Sequence, residues 1–122
     1  MRIQVLYLDK LKFDAEKNLA NKYLERIQSS GRKIIDPINL KQIDFKELDQ
    51  ELGSTSFNIL LDEKGKNLTT IKFTELIFES PNKRINFFIG NTDGFTEIMK
   101  KRANLLLSIS PMTLTHSFAT II

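Results

Sequence analysis

Cysteine is absent from this chain of 122 residues, and histidine occurs once. The first absence excludes a disulfide framework, a thiolate metal site and a cysteine nucleophile. With His116 as the only imidazole, a transition-metal site lacks a ligand set, and a lone histidine in an apolar segment reads as structural. No apolar run approaches the ~18 residues that span a bilayer. The opening Met1-Arg2-Ile3-Gln4-Val5 is too short and too early in charge for a secretory signal. No repeat, low-complexity tract or linker breaks the chain. The G-x-G-x-x-G fingerprint, the P-loop Lys-Ser/Thr and the G-x-S-x-G elbow are missing too. These absences leave one domain over residues 1–122, with no metal, no membrane and a cytoplasmic location as expectations.

What remains is ordinary globular composition: 41% hydrophobic and 27% charged residues, enough for one core. Eighteen basic against fifteen acidic residues give a net charge of +3. That balance fits solvated helix faces better than a nucleic-acid footprint, which shows as a denser basic cluster.

Periodicity divides the chain into alternating elements. Residues 2–9 alternate as a half-buried strand. A helix follows from Asp14, a plausible N-cap, to Ser29-Ser30-Gly31, with Leu19, Tyr23, Leu24 and Ile27 at helical spacing. Residues 32–40 read as a second strand that Pro37 pushes to an edge. A short helix over 45–52 closes at Gly53. Strand three is 57–61, followed by a charged turn, Asp62-Glu63-Lys64-Gly65-Lys66. Thr69-Thr70 caps a mostly buried helix over 70–78, which Pro81-Asn82 breaks. Strand four is 85–89, helix four 96–103, and strand five 105–107. The paired carboxylates Asp49 and Glu51 look like solvated charge. Residues 112–122 are apolar and helix-compatible, and end without a polar cap. The order predicts an α/β fold, a mainly parallel sheet with helices on both faces.

Three strand ends run into small or polar turns: Leu61-Asp62, Gly90-Asn91-Thr92-Asp93-Gly94 and Ser108-Ile109-Ser110-Pro111-Met112-Thr113. Ligands of open α/β sheets bind outside the carboxyl ends of the strands, so these turns are expected to share one pocket. Gly90 and Gly94 allow close approach to backbone N–H groups. Taken alone, each motif reads most simply as a tight turn.

In combination they resemble the three blocks of the ribosomal RNA large subunit methyltransferase H family, of the SPOUT class. The blocks are Leu60-Leu61-Asp62-Glu63-Lys64-Gly65-Lys66-Asn67-Leu68-Thr69-Thr70, then Phe87-Phe88-Ile89-Gly90-Asn91-Thr92-Asp93-Gly94, then residues 107–116 ending in Met112-Thr113-Leu114-Thr115-His116. The resemblance implies a trefoil-knotted α/β domain, the last segment threading under the Gly90 loop. It also implies a homodimer that uses S-adenosylmethionine to methylate a pseudouridine in 23S ribosomal RNA. By matching position, the cofactor contacts would fall on Leu61, Gly90, Ile109, Ser110, Pro111, Met112, Thr113 and Leu114. No residue is assigned as proton acceptor.

The sequence departs from the family at Asn91, where a second glycine is usual, and at Thr115, where a proline is usual. The segment between strands two and three is shorter. The family also continues past the position of Ile122 into a helix with a Tyr-Arg pair and a Tyr-His tail. The knot is then expected to be incomplete, cofactor binding weak and transfer slight. The rival readings are a non-catalytic shortened member that folds and dimerises, and an unrelated α/β nucleotide-binding module.

Overall fold

The computed structural model describes residues 2–9, 11, 13–31, 38–79, 84–91, 94–110, 119, 120 and 122. Among the described residues five strands and four helices alternate. They are β1 (Arg2–Tyr7), α1 (Asp14–Gly31), β2 (Asn39–Gln42), α2 (Phe45–Leu52), β3 (Phe57–Asn67), α3 (Thr70–Glu79), β4 (Arg84–Ile89), α4 (Glu97–Arg102) and β5 (Leu105–Ser108). All pairings are parallel, in the order β2-β1-β4-β3-β5. The α/β class and parallel sheet expected from the alternation are therefore present. The threading expected for the knot falls on residues 111–118, outside the described residues.

Both faces of a parallel sheet are buried, and strand alternation sorts the side chains between them. Leu6, Leu8, Leu60 and Phe88 pack with Leu48 and Leu52 of α2, Phe95, and Met99 and Ala103 at α4. Ile3, Ile59, Ile85, Phe87 and Leu107 point the other way, toward Phe73 and Ile77 of α3. Helices α2 and α4 thus cover one face, and α1 and α3 the other.

Several local expectations need correction. The helix over 70–78 is not mostly buried: only Ile77 is, while Ile71 and Phe78 are exposed. One side meets the sheet, and among the described residues no further layer covers the other. Asp14 lies inside α1, and Phe13 precedes the helix with its N–H donating to Glu16 Oε1 at 3.3 Å. The second strand sits later than expected, at Asn39–Gln42; residues 32–37 are outside the described ones. Thr69 caps α3 as expected, its hydroxyl accepting from Lys72 N–H at 3.1 Å. Gly53 does close α2, but at φ −81° and ψ −6°, a right-handed geometry open to any residue.

The charged turn after Leu61 is the largest difference. β3 continues to Asn67, and its pairing with β5 jumps: Leu61 and Lys66 both face Leu107, and Asn67 faces Ser108. The intervening residues bulge away and return. At the return point Gly65 lies against β5 so closely that a Cβ would stand 2.7 Å from the Leu106 carbonyl carbon and oxygen. Periodicity carries no signal for such a bulge, because Asp62, Glu63, Lys64 and Gly65 include no apolar side chain whose spacing could mark it.

Candidate functional site

The three strand ends lie at the same edge of the sheet, since β3, β4 and β5 are adjacent and parallel. There a cavity of about 610 Å³ opens between the sheet, α1 and α3. Leu61, Ile89, Leu107, Ser108 and Ile109 line its strand-end side, and Tyr23, Leu24 and Ile27 of α1 its far wall. Ala119, Thr120 and Ile122 also line it. A volume of this size with apolar walls and few polar groups is that of a small-molecule site, for which roughly 300–1,000 Å³ is usual.

Of the eight expected cofactor contacts, Leu61 and Ile109 line this cavity directly. Ser110 follows at its rim, its carbonyl oxygen accepting from the Ser108 hydroxyl at 2.8 Å. Gly90 adjoins Ile89 of the lining without itself lining the cavity. A Cβ at Gly90 would meet the Phe95 ring at 3.2 Å and Gly94 at 3.4 Å. The glycine therefore lets its own loop fold tightly; its Cβ direction points to neighbouring protein. Gly94, at φ 74°, completes that loop and donates its N–H to the Asn91 carbonyl at 2.9 Å. Pro111, Met112, Thr113 and Leu114 lie outside the described residues, as does His116.

Asp62, next to Leu61, does not line the cavity and carries its charge toward α4. Its carboxylate meets Lys100 of α4 at 3.0 Å and accepts the Lys64 N–H at 3.1 Å. Burial alone would raise its pKa, but those two donors outweigh it and hold the carboxyl below its usual 3.8. Donating to the Asp62 carboxylate in turn raises the Lys100 pKa. The pair ties the β3 bulge to α4.

Asp49 and Glu51 are partnered as well as solvated. Asp49 pairs with Arg102, whose second guanidinium nitrogen donates to the Asp49 carbonyl at 3.0 Å. Glu51 accepts from the Asn86 amide at 3.4 Å. Both links join α2 to elements distant in sequence, so neither carboxylate is placed for acid–base chemistry at the cavity.

A second cavity, of about 410 Å³, was not expected. It lies where β1 and β2 end and α2 begins, lined by Leu8, Asp9, Gln42, Ile43, Asp44, Phe45 and Asn91. Only the strand order could have revealed it, because β1 and β4 are adjacent although they start far apart in the chain, at Arg2 and Arg84. Among the described residues no helix is long and apolar enough to cross a membrane. Nor do those residues include a group of three or more His, Cys, Asp or Glu able to hold a metal ion.

An open parallel α/β sheet with helices on both faces is the doubly wound architecture, which in general binds ligands outside the carboxyl ends of its strands. Comparison with known proteins narrows this. Residues 1–122 match the family described as predicted SPOUT methyltransferase. Ribosomal RNA large subunit methyltransferase H of Malacoplasma penetrans is 30% identical over 138 aligned positions, covering all of this chain and 88% of that protein. The namesake from Campylobacter jejuni subsp. doylei is 34% identical over 128 positions, covering 97% and 85%. That of Prochlorococcus marinus strain MIT 9312 is 32% identical over 91 positions, and there the match spans 75% of this chain and 66% of the relative. Among solved structures, a Legionella pneumophila protein described as a methyltransferase with bound SAM aligns at TM-score 0.50 and 16% identity. It covers 99% of this chain and 63% of that one; the likeness is one of fold. The chain belongs to the ribosomal RNA large subunit methyltransferase H family of SPOUT methyltransferases.

Proposed function

We propose that this chain is an S-adenosylmethionine-dependent methyltransferase acting on a pseudouridine of 23S ribosomal RNA in the cytoplasm, as a homodimer. The observation that carries the reading is the cavity between the sheet, α1 and α3, whose strand-end side is lined by Leu61, Ile89 and Ile109, within a chain matched by the SPOUT family over residues 1–122. The size of the cavity and its apolar lining fit a nucleoside-containing cofactor. Leu61, Ile89 and Ile109 would hold the flat adenine by apolar contact. The backbone of Ser108, Ile109 and Ser110 would supply polar contacts, with the Ser108 hydroxyl holding the loop at Ser110.

When bound, the cofactor supplies an electrophilic methyl group on sulfur. The chain's own contribution is orientation and exclusion of water. The tightly folded Gly90 loop sets the boundary of the site, with Phe95 packed beneath it. Pro111, Met112, Thr113 and Leu114 enter the proposed site by resemblance.

Calorimetric titration with S-adenosylmethionine and S-adenosylhomocysteine tests the cofactor, and transfer of a labelled methyl group to 70S ribosomes lacking the modification tests the reaction. Gly90→Val is expected to lower cofactor affinity at least ~10-fold, because a branched side chain would displace Phe95 and Gly94 and deform the loop. A wild-type chain that binds neither compound, or a Gly90→Val chain that binds as wild type does, would sink the assignment of this cavity.

A further inference from the structure

One carboxylate serves two partners where β3 bulges. Asp62 Oδ1 accepts the Lys64 N–H at 3.1 Å, and Oδ2 meets Lys100 Nζ of α4 at 3.0 Å. The first bond closes the bulge on itself, and the second fastens it to a helix far along the chain. Successive strand residues point to opposite faces, so Leu61 lines the larger cavity while Asp62 turns away from it. The Lys100 and Asp62 side chains are only 22% and 14% exposed, whereas the pair between Lys41 and Glu47 is far more open to water. An exposed pair contributes little, but a partly buried charge is costly to leave without its partner. Lys100 also meets Glu97 at 3.6 Å, yet Glu97 is solvated, which makes that contact the weaker one.

Both ends of this tie lead to the cavity. On the β3 side, Leu61 and Lys66 face Leu107 across the bulge, and Gly65 lies against the Leu106 and Leu107 backbone. Closure of the bulge therefore sets where β5 runs at Leu107, and Leu107, Ser108 and Ile109 are cavity wall. On the other side, α4 follows directly on the Gly90 loop. Phe95 is buried against Gly90 just before the helix begins at Glu97. The Thr96 hydroxyl accepts the Met99 N–H at 3.3 Å, and the Thr96 carbonyl accepts the Lys100 N–H at 3.0 Å. Lys100 is thus fixed to the Gly90 loop through main-chain bonds and to the end of β3 through its ammonium group. The ends of β3 and β4 are joined by one ion pair on the side of the sheet away from the cavity.

We propose that Asp62 and Lys100 are positioning residues: their ion pair holds the β3 bulge against α4 and so keeps the cavity wall of Leu61, Leu107 and Ile109 in its binding shape, without touching what the cavity holds. The consequence for the cofactor rests on the proposed methyltransferase function. A wall already in place when the ligand arrives carries no ordering cost, and a wall that the ligand must order subtracts that cost from affinity. With the pair broken, the bulge loses its anchor on α4, and the end of β5 that it braces loosens with it.

The test combines methyl NMR of Leu61, Leu107 and Ile109 in the ligand-free full chain with calorimetric titration of S-adenosylhomocysteine. Asp62→Asn keeps an acceptor for the Lys64 N–H and loses the charge; Lys100→Met loses the opposite charge. Each is expected to shift the three methyl signals and to lower affinity at least ~5-fold. Lys100→Arg keeps the charge and is expected to retain the wild-type signals and affinity. Arg102→Met breaks the pair with Asp49 on the same helix and is expected to change neither readout, which separates loss of this tie from a general loosening of α4. Methyl signals unmoved by Lys100→Met, equal effects of Arg102→Met, or losses as large in Lys100→Arg would overturn the positioning role. So would an unchanged affinity in Lys100→Met when the wild type binds. Shifted methyl signals in Lys100→Met, with a wild type that binds no S-adenosylhomocysteine, would uphold the tie and count against the methyltransferase reading.

Discussion

Two glycines in this chain make opposite predictions from the same substitution. At Gly65 a Cβ would lie 2.7 Å from the Leu106 carbonyl carbon and oxygen and 2.9 Å from the Leu107 nitrogen. All three are strand backbone, so none can swing aside. Gly65→Ala is expected to cost roughly 2 kcal/mol through overpacking and to loosen β5. At Gly53 the nearest atoms stand 3.5 Å away and the backbone is right-handed. Gly53→Ala is expected to gain about 0.5 kcal/mol by restricting the unfolded chain. Urea unfolding of the two variants distinguishes the cases; equal effects would refute the close approach at the bulge. Asp62 gives a prediction in pH. Its folded pKa lies below 3.8, so its contribution is present above that value and lost as pH falls through the folded pKa. Lys100 is raised above 10.5, so its contribution holds below that value and is lost as pH climbs through the folded pKa. The pair therefore acts across the whole neutral range. A carbon-detected NMR titration is expected to place Asp62 below 3.8, and Lys100→Met to move the midpoint up. A midpoint unmoved by that change would remove Lys100 as its partner.

At the scale of elements, a buried polar row crosses the sheet beneath α2. Register aligns Asn39, Gln4, Asn86 and Asn58 on β2, β1, β4 and β3. Gln4, Asn86 and Asn58 are buried. The Asn39 amide donates to Gln4 Oε1 at 3.5 Å, Asn86 to Asn58 Oδ1 at 3.1 Å, and Asn58 to the Leu52 carbonyl at 3.4 Å. Asn104 extends the row to the start of β5, accepting the Asn58 N–H at 2.7 Å and donating its own N–H to the Asn58 carbonyl at 2.9 Å. Each bond has geometry only at one register, and a slip would strand buried amides at a cost of about 1–3 kcal/mol apiece. Asn104→Ala is expected to cost about that much, since it leaves the Asn58 N–H without its acceptor, and to speed hydrogen exchange at Asn58 above all. Exchange unchanged at that amide would show the side chain to be dispensable. None of this row was legible in the sequence, where Gln4, Asn58 and Asn86 interrupt apolar strands without saying which strands are neighbours. The elements themselves were legible wherever local pattern and packing agree, as at β1, α2, β4 and β5. They were misjudged where tertiary pairing decides, as in the bulged second half of β3 and the half-exposed α3. That Leu61 and Ile109 reach the larger cavity follows from their places at strand ends, which are local events. The crevice beside Asn91 was not, because it depends on strand order.

The whole molecule carries an apolar face that its own fold leaves partly uncovered. Helix α1 presents Leu19, Tyr23 and Ile27 with about two-fifths of each exposed, and Phe78 of α3 and Ile122 are more open still. Tyr23, Ile27, Phe78 and Ile122 all line the larger cavity, so they form one continuous surface with it. Contiguous apolar surface of this kind marks an interface in a soluble protein. In a two-fold dimer the same patch would meet itself, so α1 of each subunit would cover the partner's cavity wall. The proposed homodimer would then close the cavity proposed for the cofactor, which would make affinity for S-adenosylmethionine depend on assembly. Light scattering at micromolar concentration is expected to give twice the chain mass. Tyr23→Glu and Ile27→Glu are each expected to yield a folded monomer, because both side chains are already 43% and 42% exposed within one chain and a carboxylate there can remain in water. Mutual repulsion of charges across the two-fold axis, together with their desolvation, would remove the dimer rather than the fold. If assembly completes the cavity, cofactor affinity falls in both variants by the same factor, and it falls in the wild type on dilution below the dimer dissociation constant. A monomeric wild type, or a monomeric variant that binds the cofactor as tightly as the dimer, would separate the apolar face from the site.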